Sequence, residues 1–250
     1  MRKLLSKHKG DIMNLLKCIL LRTYAKFCRF VTYRNLKVPI HGSHVIRPIK
    51  DQLLLKQYEV PEIEALFKIL RPKDRMIEIG VGLGVVSGLA AKAHPNAKIR
   101  SYEANPNLID SIRELHEINN IHSIDLHNAI CVQGQGGTKR DFHIHKSFAE
   151  GSLIATEGTL HSVQVCTVSI EEILSNFKPN VLLIDIEGGE AELLAQLDLS
   201  GVRALVLEMH LGIISRAEEI HIYQACANAG LYPRTDLSSS NVIAFECVTQ

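Results

Sequence analysis

The sequence predicts an α/β protein with a doubly wound, mostly parallel sheet and an N-terminal helical extension. Two observations lead to this prediction. From Met76 onward, short apolar runs alternate with amphipathic stretches, which is typical of βαβ units. The run from Val181 to Asp185 is almost wholly apolar, as expected of a strand covered on both faces. At 250 residues the chain fits one sizeable domain, residues 51–250, after an extension of residues 1–50.

The extension differs sharply in charge from the rest of the chain. Residues 1–37 contain ten Lys and Arg side chains and one acid, a net charge of +9, whereas the remainder carries −8. The acidic body argues against binding to a nucleic-acid backbone, which depends on clustered Lys and Arg. Within the extension, Leu15, Ile19, Tyr24 or Phe27, and Val31 recur at helical spacing. Such a helix can lie on an anionic membrane surface or dock on the body or on a second copy of the chain.

The cellular location follows from two further features. The six cysteines are scattered without a Cys-x-x-Cys pair, as expected of free thiols in a reducing compartment. Charged residues interrupt the only candidate for a membrane span, which lies in the extension. We therefore predict a cytoplasmic protein. Peripheral contact with the inner membrane surface through residues 1–37 and homo-oligomer formation are left as alternatives.

The predicted elements follow one another in a regular order until residue 133. Asn105 is suited to cap a helix that begins at Pro106. Residues 133–168 break the rhythm, and we interpret them as an insertion over the sheet that contacts substrate. Ser169-x-x-Glu172 and Ser215-x-x-Glu218 read as capping boxes that begin two later helices. The predicted helices are 51–70 (interrupted near Val60), 83–93, 106–118, one after Ser169, one through Leu197 and one from Ser215 to Gly230; the predicted strands are 76–79, 98–103, 124–128, 181–185, 204–209 and 242–247.

The strand from Met76 to Ile79 ends in alternating glycines, Gly80, Gly82 and Gly84. Such a turn brings bare backbone close to a nucleotide-like ligand, because a Cβ would hold the ligand away. Dinucleotides and S-adenosylmethionine are both bound in this way. The acid Glu78 inside the strand and the G-x-G-x-G spacing, with Val85 where a dinucleotide motif has its third glycine, favour S-adenosylmethionine.

Two later strand ends supply further candidates for this ligand. Glu103 ends the second strand, where a carboxylate can accept hydrogen bonds from both hydroxyls of an adenosine ribose. Asn128 and Ala129 follow the third strand, in a position suited to the adenine ring.

A second polar group combines Asp185, Glu187 and Glu190 with Glu208 and His210, at the ends of two apolar strands. Burying several carboxylates together is costly unless they hold a cation, share protons or accept backbone donors. Asp185 or His210 can serve as the general base that takes the proton of an acceptor hydroxyl. The same oxygens can bind a hard divalent cation, or the group can be purely structural, with Glu190 at a helix start. These three alternatives stay open, and no residue is assigned as a metal ligand.

Four blocks of the chain, within roughly residues 57–235, resemble the FkbM family of S-adenosylmethionine-dependent methyltransferases. They are Glu78–Gly84, Tyr102–Pro106, Leu182–Glu190 and Leu205–His210; Tyr58-Glu59 also resembles a Tyr-Glu pair of that family. The chain departs from the family at Val81-Gly82, where Ala-Asn is usual.

The resemblance implies a seven-stranded Rossmann-like sheet of the class I methyltransferase type. It also implies O-methylation of a hydroxyl on a sugar, a glycan or a glycosylated natural product, with a small-molecule or glycan acceptor. The alternatives are a non-catalytic scaffold or regulator that binds S-adenosylmethionine, and an NAD-dependent oxidoreductase. Asp185, Glu187 and His210 are the predicted catalytic residues. The predicted cofactor-binding residues are Tyr58, Glu78, Gly80, Gly82, Gly84, Glu103, Ala104, Asn128 and Ala129.

Overall fold

Strands and helices alternate along most of the chain in a computed structural model that describes residue 23 and residues 28–145, 147, 151–153 and 158–248. The strands are β1 (Phe30–Tyr33), β2 (Leu36–Pro39), β3 (Arg75–Ile79), β4 (Lys98–Glu103), β5 (Ile124–Asn128), β6 (Ile130–Val132), β7 (Lys139–His145), β8 (Thr159–Ser169), β9 (Val181–Ile184), β10 (Ala204–Glu208), β11 (Leu231–Pro233) and β12 (Val242–Cys247). The helices are α1 (Arg47–Leu55), α2 (Val60–Ile69), α3 (Val85–Ala93), α4 (Pro106–Ile118), α5 (Ile170–Phe177), α6 (Glu190–Leu194) and α7 (Arg216–Asn228).

Seven strands form the central sheet in the order β11-β12-β10-β9-β3-β4-β5. The five strands from β10 to β5 are parallel, whereas β12 runs antiparallel to both of its neighbours. Chain order reverses between β3 and β9, which is the switch point of a doubly wound sheet. The predicted fold class, a mostly parallel seven-stranded α/β sheet, is confirmed.

Alternate residues of each central strand face opposite sides of the sheet and bury two separate apolar cores. In β10, Ala204 and Val206 pack with the first core, and Leu205 and Leu207 pack with the second. Helices α1 to α4 cover the first face, and helices α5 to α7 cover the second. This double cover explains why Val181–Ile184 is apolar at every position.

The chain before residue 51 contributes to the first core. Strands β1 and β2 form a hairpin in which Tyr33, Leu36 and Val38 are fully buried. Helix α1 spans residue 51, so the predicted boundary at that position falls inside a helix. The predicted amphipathic helix of the extension ends at Val31, which instead lies in β1. Its other members, Leu15, Ile19, Tyr24 and Phe27, lie outside the described residues.

The predicted helix over residues 51–70 is two helices, α1 and α2. They are separated by residues 56–59, where Lys56 and Glu59 adopt left-handed backbone angles. Residues 133–168, predicted as an insertion, form most of a second, three-stranded sheet in the order β6-β8-β7. Among the described helices, none has the length and apolar character needed to cross a bilayer.

Helix capping confirms all three predicted helix starts. Asn105 accepts a hydrogen bond from the Asn107 backbone, and Ser215 forms a complete capping box with Glu218. At Ser169 only half of the predicted box forms. Its hydroxyl accepts from the Glu172 backbone and also donates to the Glu171 carboxylate, whereas the reciprocal bond from the Ser169 backbone to the Glu172 side chain is not formed.

Candidate active site

A cleft of about 420 Å³ opens at the carboxyl ends of β3, β4, β9 and β10. This is where doubly wound sheets bind ligands, and ligand pockets usually measure about 300–1,000 Å³. Six carboxylic side chains line it: Glu59, Glu62, Glu103, Asp185, Glu187 and Glu208. Among the described residues, no lysine, arginine or histidine lines the cleft. The cleft therefore disfavours anionic ligands and favours cationic ones.

One end of the cleft, the glycine end, is built from the turn after β3 together with Glu103, Ala104 and Ala129. Gly80 has a φ of +84°, and a Cβ added there would lie 1.6 Å from the Asp185 carbonyl oxygen. Only glycine fits this position, because the clash is with backbone and cannot be relieved by a rotamer change. Gly82, with φ +56°, also lines the cleft. Gly84 caps helix α3 with φ +75° outside the cleft lining.

Glu103 holds this turn in place. One carboxylate oxygen, Oε2, accepts from the backbone of Val81 and Gly82 at 2.9 Å each, and Oε1 accepts from the backbone of Asn105 at 2.7 Å. Burial raises the pKa of Glu103, and the backbone hydrogen bonds oppose that shift. The Ala104 backbone also lies within reach of this carboxyl, so a ribose hydroxyl at Oε1 would share that oxygen with backbone donors.

Glu78 lies in the interior and does not line the cleft. Its carboxyl accepts from the Ser101 hydroxyl at 2.6 Å and from the Ser87 backbone at 3.2 Å, which joins β3 to β4 and to helix α3. Burial raises the pKa of Glu78 to about 7, despite these bonds. Glu78 was predicted to contact the ligand. In the structure it instead stabilises the strand and the helix that flank the glycine turn.

The remaining predicted cofactor residues divide in the same way. Ala104 and Ala129 line the cleft, and Ala129 is held by a hydrogen bond from its backbone to Glu103 O at 3.1 Å. Asn128 lies outside the cleft lining, and its amide donates to the carbonyls of Glu103 and Ala104. Tyr58 lines the cleft and is buried.

The opposite end, the acidic end, consists of Glu59, Glu62, Asp185 and Glu208. Burial raises the pKa of Asp185 well above its usual range, and the Glu59 and Glu208 carboxyls raise it further. Burial likewise raises the pKa of Glu59 to about 8 and that of Glu62 to about 7. In the absence of a cation, Asp185 and Glu59 therefore hold protons at neutral pH, and Glu62 is about half protonated. Glu59 has a φ of +46°, a backbone conformation that is uncommon for non-glycine residues and often found at functional sites.

His210 lies beside the acidic end but does not line the cleft. Its Nδ1 hydrogen-bonds the fully buried Glu190 carboxyl, and its Nε2 lies 3.3 Å from Glu187 Oε2. Burial lowers the pKa of His210, but the hydrogen bonds with Glu187 and Glu190 outweigh it and raise the pKa to about 10. In this arrangement His210 is an imidazolium at neutral pH, so it does not accept a proton there.

The structure thus brings Asp185 and Glu187 into the cleft and places His210 just behind it. Two residues of the acidic end, Glu59 and Glu62, are absent from the predicted site. Both lie on or next to helix α2, more than 100 positions before Asp185, and Glu62 reads in the sequence as part of a solvated helix face. The Tyr-Glu pair at Tyr58-Glu59 was the only sequence signal that pointed to this segment.

Comparison with known protein families now defines the class. The model of the "Methyltransferase FkbM domain" matches residues 68–229, about two thirds of the chain. The chain belongs to the FkbM methyltransferase family, and it is an S-adenosylmethionine-dependent methyltransferase. A search of curated protein sequences gives no match.

Several solved structures resemble the chain at low identity. One is a precorrin-6y C5,15-methyltransferase from Geobacter metallireducens GS-15, with 16% identity, 76% of this chain and 88% of that chain covered, and a TM-score of 0.44. Another is a methyltransferase from Pyrococcus furiosus, with 15% identity, 93% and 96% covered, and a TM-score of 0.42. A third is Trm5b from Pyrococcus abyssi, with 12% identity, 87% and 55% covered, and a TM-score of 0.48. The family assignment rests on the domain match.

The residues of the cleft fit S-adenosylmethionine. The turn at Gly80 packs against the Asp185 backbone and brings Gly82 and Glu103 to the cleft, where a nucleoside would contact them. The acidic lining suits a ligand that carries a sulfonium and an ammonium group. Gly80, Gly82, Glu103, Ala104 and Ala129 are the residues that would hold it.

Proposed function

We propose that this methyltransferase transfers a methyl group to a hydroxyl of a sugar, a glycan or a glycosylated natural product. The main support is the position of Asp185, whose backbone packs directly against Gly80 and whose side chain belongs to the acidic end. The residue best suited to receive a hydroxyl proton therefore lies next to the turn that would hold the methyl donor. The donor supplies an electrophilic methyl group on a sulfonium.

The side chains of the cleft have distinct parts in this reaction. Asp185 holds a proton while no cation is near, because burial and the Glu59 and Glu208 carboxyls favour its neutral form. A positive charge bound nearby favours the ionised form, which can then accept the proton of the acceptor hydroxyl. His210 bridges Glu187 and Glu190, and this group fixes the wall behind Asp185. Much of the rate would come from holding donor and hydroxyl in line.

The charge of the cleft narrows the acceptor class. Six carboxylic side chains and no basic ones face the ligand among the described residues. Phe142 and Leu153 of the second sheet and its connecting segment add an apolar wall. Neutral saccharides or glycosides fit this lining, whereas sugar phosphates, sulfates and uronates would find no basic partner among the described residues that line the cleft.

Substitution of Asp185 tests the assignment. In Asp185→Ala we expect turnover to fall by about 10²–10⁴-fold, because the proton acceptor is lost. Binding of S-adenosylhomocysteine, measured by calorimetry, should stay within a few-fold of wild type. Turnover is measured as the transfer of a labelled methyl group to a panel of neutral glycosides and their phosphorylated counterparts. Full activity in the variant contradicts the role of Asp185.

The same panel separates the enzyme from a scaffold that binds the donor without reacting. Tight donor binding by the wild type, with no methyl transfer to any member of a broad glycoside panel, would favour the scaffold. A cytoplasmic location, membrane contact through residues 1–37 and homo-oligomer formation stay predictions.

A further inference from the structure

The ends of β9 and β10 bring three metal-binding residue types together. The two strands are parallel neighbours, with Leu183 opposite Val206 and Ile184 opposite Leu207, so their carboxyl ends meet at one edge. Asp185 follows the first strand, and Glu208 and His210 lie at the end of the second. One potential ligand atom from each of these three residues lies within 4.8 Å of the other two.

The orientation of His210 adds geometric support. Its Nδ1 bonds the Glu190 carboxyl, and Glu190 is fully buried. Because a carboxylate accepts hydrogen bonds, Nδ1 carries the hydrogen, and Nε2 faces Glu187 and Glu208, the latter at 3.9 Å. Histidines that bind metals are held in this way, with a carboxylate on the ring nitrogen away from the metal.

A buried acceptor without a partner provides a second, independent observation. Glu62 lines the cleft and is 5% exposed, and its Oε2 has no hydrogen-bond partner among the described residues. Its carboxyl lies close enough to Asp185 and Glu208 to interact with both electrostatically. A buried oxygen in this state is costly unless a ligand or a ligand-bound water completes its hydrogen bonding.

We propose that Asp185, Glu208 and Nε2 of His210 bind one divalent cation, Mn²⁺ or Mg²⁺, which displaces the proton that Nε2 carries in its absence and keeps its remaining positions open to the cleft. Two carboxylate oxygens and one imidazole suit Mn²⁺, and Mg²⁺ competes for sites that are rich in oxygen ligands. Glu190 acts as a positioning residue through His210. The catalytic part of the proposal rests on the proposed function: a cation here would bind the acceptor hydroxyl as a Lewis acid and lower its pKa, and the Asp185 carboxylate oxygen that does not bind the cation would accept the proton.

Binding can be measured without any acceptor. Full-length protein freed of metals is titrated with Mn²⁺, and free Mn²⁺ is followed by electron paramagnetic resonance. We expect one Mn²⁺ per chain, displaced by excess Mg²⁺. Glu208→Gln should raise the Mn²⁺ dissociation constant more than about 10-fold, and Glu190→Gln should raise it about 10-fold through loss of His210 orientation. Glu192→Gln, on the exposed side of helix α6, is the matched control and should leave the constant unchanged.

Two results would overturn the site: no saturable Mn²⁺ binding by the wild type, or equal binding by wild type and Glu208→Gln. If Glu208→Gln fails to fold by circular dichroism, Asp185→Asn takes its place in the comparison. Calorimetry with S-adenosylhomocysteine in the presence of a chelator distinguishes failure of the metal site from failure of the proposed function. Donor binding that persists in the chelator while Mn²⁺ fails to bind refutes the metal site and leaves the proposed function intact.

Discussion

The two ends of the cleft are built in different ways. The glycine end is formed mainly by backbone groups. Its one acidic side chain, Glu103, accepts hydrogen bonds from three backbone N–H groups. At the acidic end, side chains from α2, β9 and β10 crowd together. One oxygen, Glu62 Oε2, has no partner among the described residues, and three carboxyls have raised pKa values.

The difference indicates which end is complete without ligand. The glycine end is already formed, since its hydrogen bonds hold the turn in its ligand-binding shape. At the acidic end, Asp185 and Glu59 hold protons in the absence of a cation, so their protonation changes when positive charge is bound nearby. We therefore propose that the first end binds the donor and that the second end determines the chemistry.

The largest effect should come from breaking the glycine end. In Gly80→Ala the new Cβ would lie 1.6 Å from the Asp185 carbonyl oxygen, in a residue whose φ is +84°. We expect the free energy of unfolding to fall by about 3–4 kcal/mol, because backbone must move. Donor binding should become undetectable by calorimetry.

Gly201→Ala is the matched control for this change. Its φ is +91°, but nothing lies within 4 Å of an added Cβ. The cost should then be the left-handed backbone alone, about 1–2 kcal/mol, with donor binding retained. Equal losses in the two variants would mean that the close contact with Asp185 does not matter.

The support beneath the glycine end should show in the pH dependence of stability. Burial raises the pKa of Glu78 from 4.5 to about 7. Because the folded state favours the neutral form, its stabilising contribution is fully present below pH 4.5 and is lost as the pH rises through about 7. In Glu78→Gln that loss, on the order of 3 kcal/mol, should disappear.

Urea unfolding between pH 5 and pH 8 measures the slope directly. The exposed Glu64, replaced by Gln, provides the control and should reproduce the wild-type slope. A Glu78→Gln slope that is equal to wild type would show that Glu78 is already ionised in the folded protein.

The smallest effect should distinguish two buried tyrosines. The Tyr33 hydroxyl donates to the Tyr58 carbonyl at 2.6 Å, whereas the Tyr58 hydroxyl lies beside the Glu59 carboxyl without the geometry of a hydrogen bond. Tyr33→Phe should lower the free energy of unfolding by about 1–2 kcal/mol, and Tyr58→Phe should change it by less than about 0.5 kcal/mol. Thermal denaturation of the two variants and of the wild type measures these changes. A larger loss of stability in Tyr58→Phe than in Tyr33→Phe would contradict the prediction.

Much of the fold was predictable because its signals are local. Asn105-Pro106 and Ser215-x-x-Glu218 mark helix starts through side-chain to backbone bonds between residues a few positions apart. The hairpin β1–β2 was missed although Val31 and Tyr33 alternate with exposed neighbours as in a strand. Val31 also fits the helical spacing of the preceding basic segment, so the two-residue alternation of the strand was not recognised. The position of β12 between β10 and β11 depends on long-range pairing, which no local pattern encodes.

The site divides in the same way. The glycine end was predictable because the turn and Glu103 form contiguous motifs. The acidic end was predicted only for the residues after β9 and β10, since parallel strands share an edge. Glu59 and Glu62 could not be placed, because their position depends on how α2 packs over the sheet. The direction of the Glu78 side chain, inward rather than toward the ligand, depends on the packing of Ser87 and Ser101.

The most direct test of the whole account is a crystal structure with S-adenosylhomocysteine bound. We predict that the nucleoside lies between Gly80 and Glu103, with a ribose hydroxyl donating to Glu103 Oε1 and the adenine beside Ala129. Density for the nucleoside elsewhere on the protein, or a ribose without contact to Glu103, would contradict it.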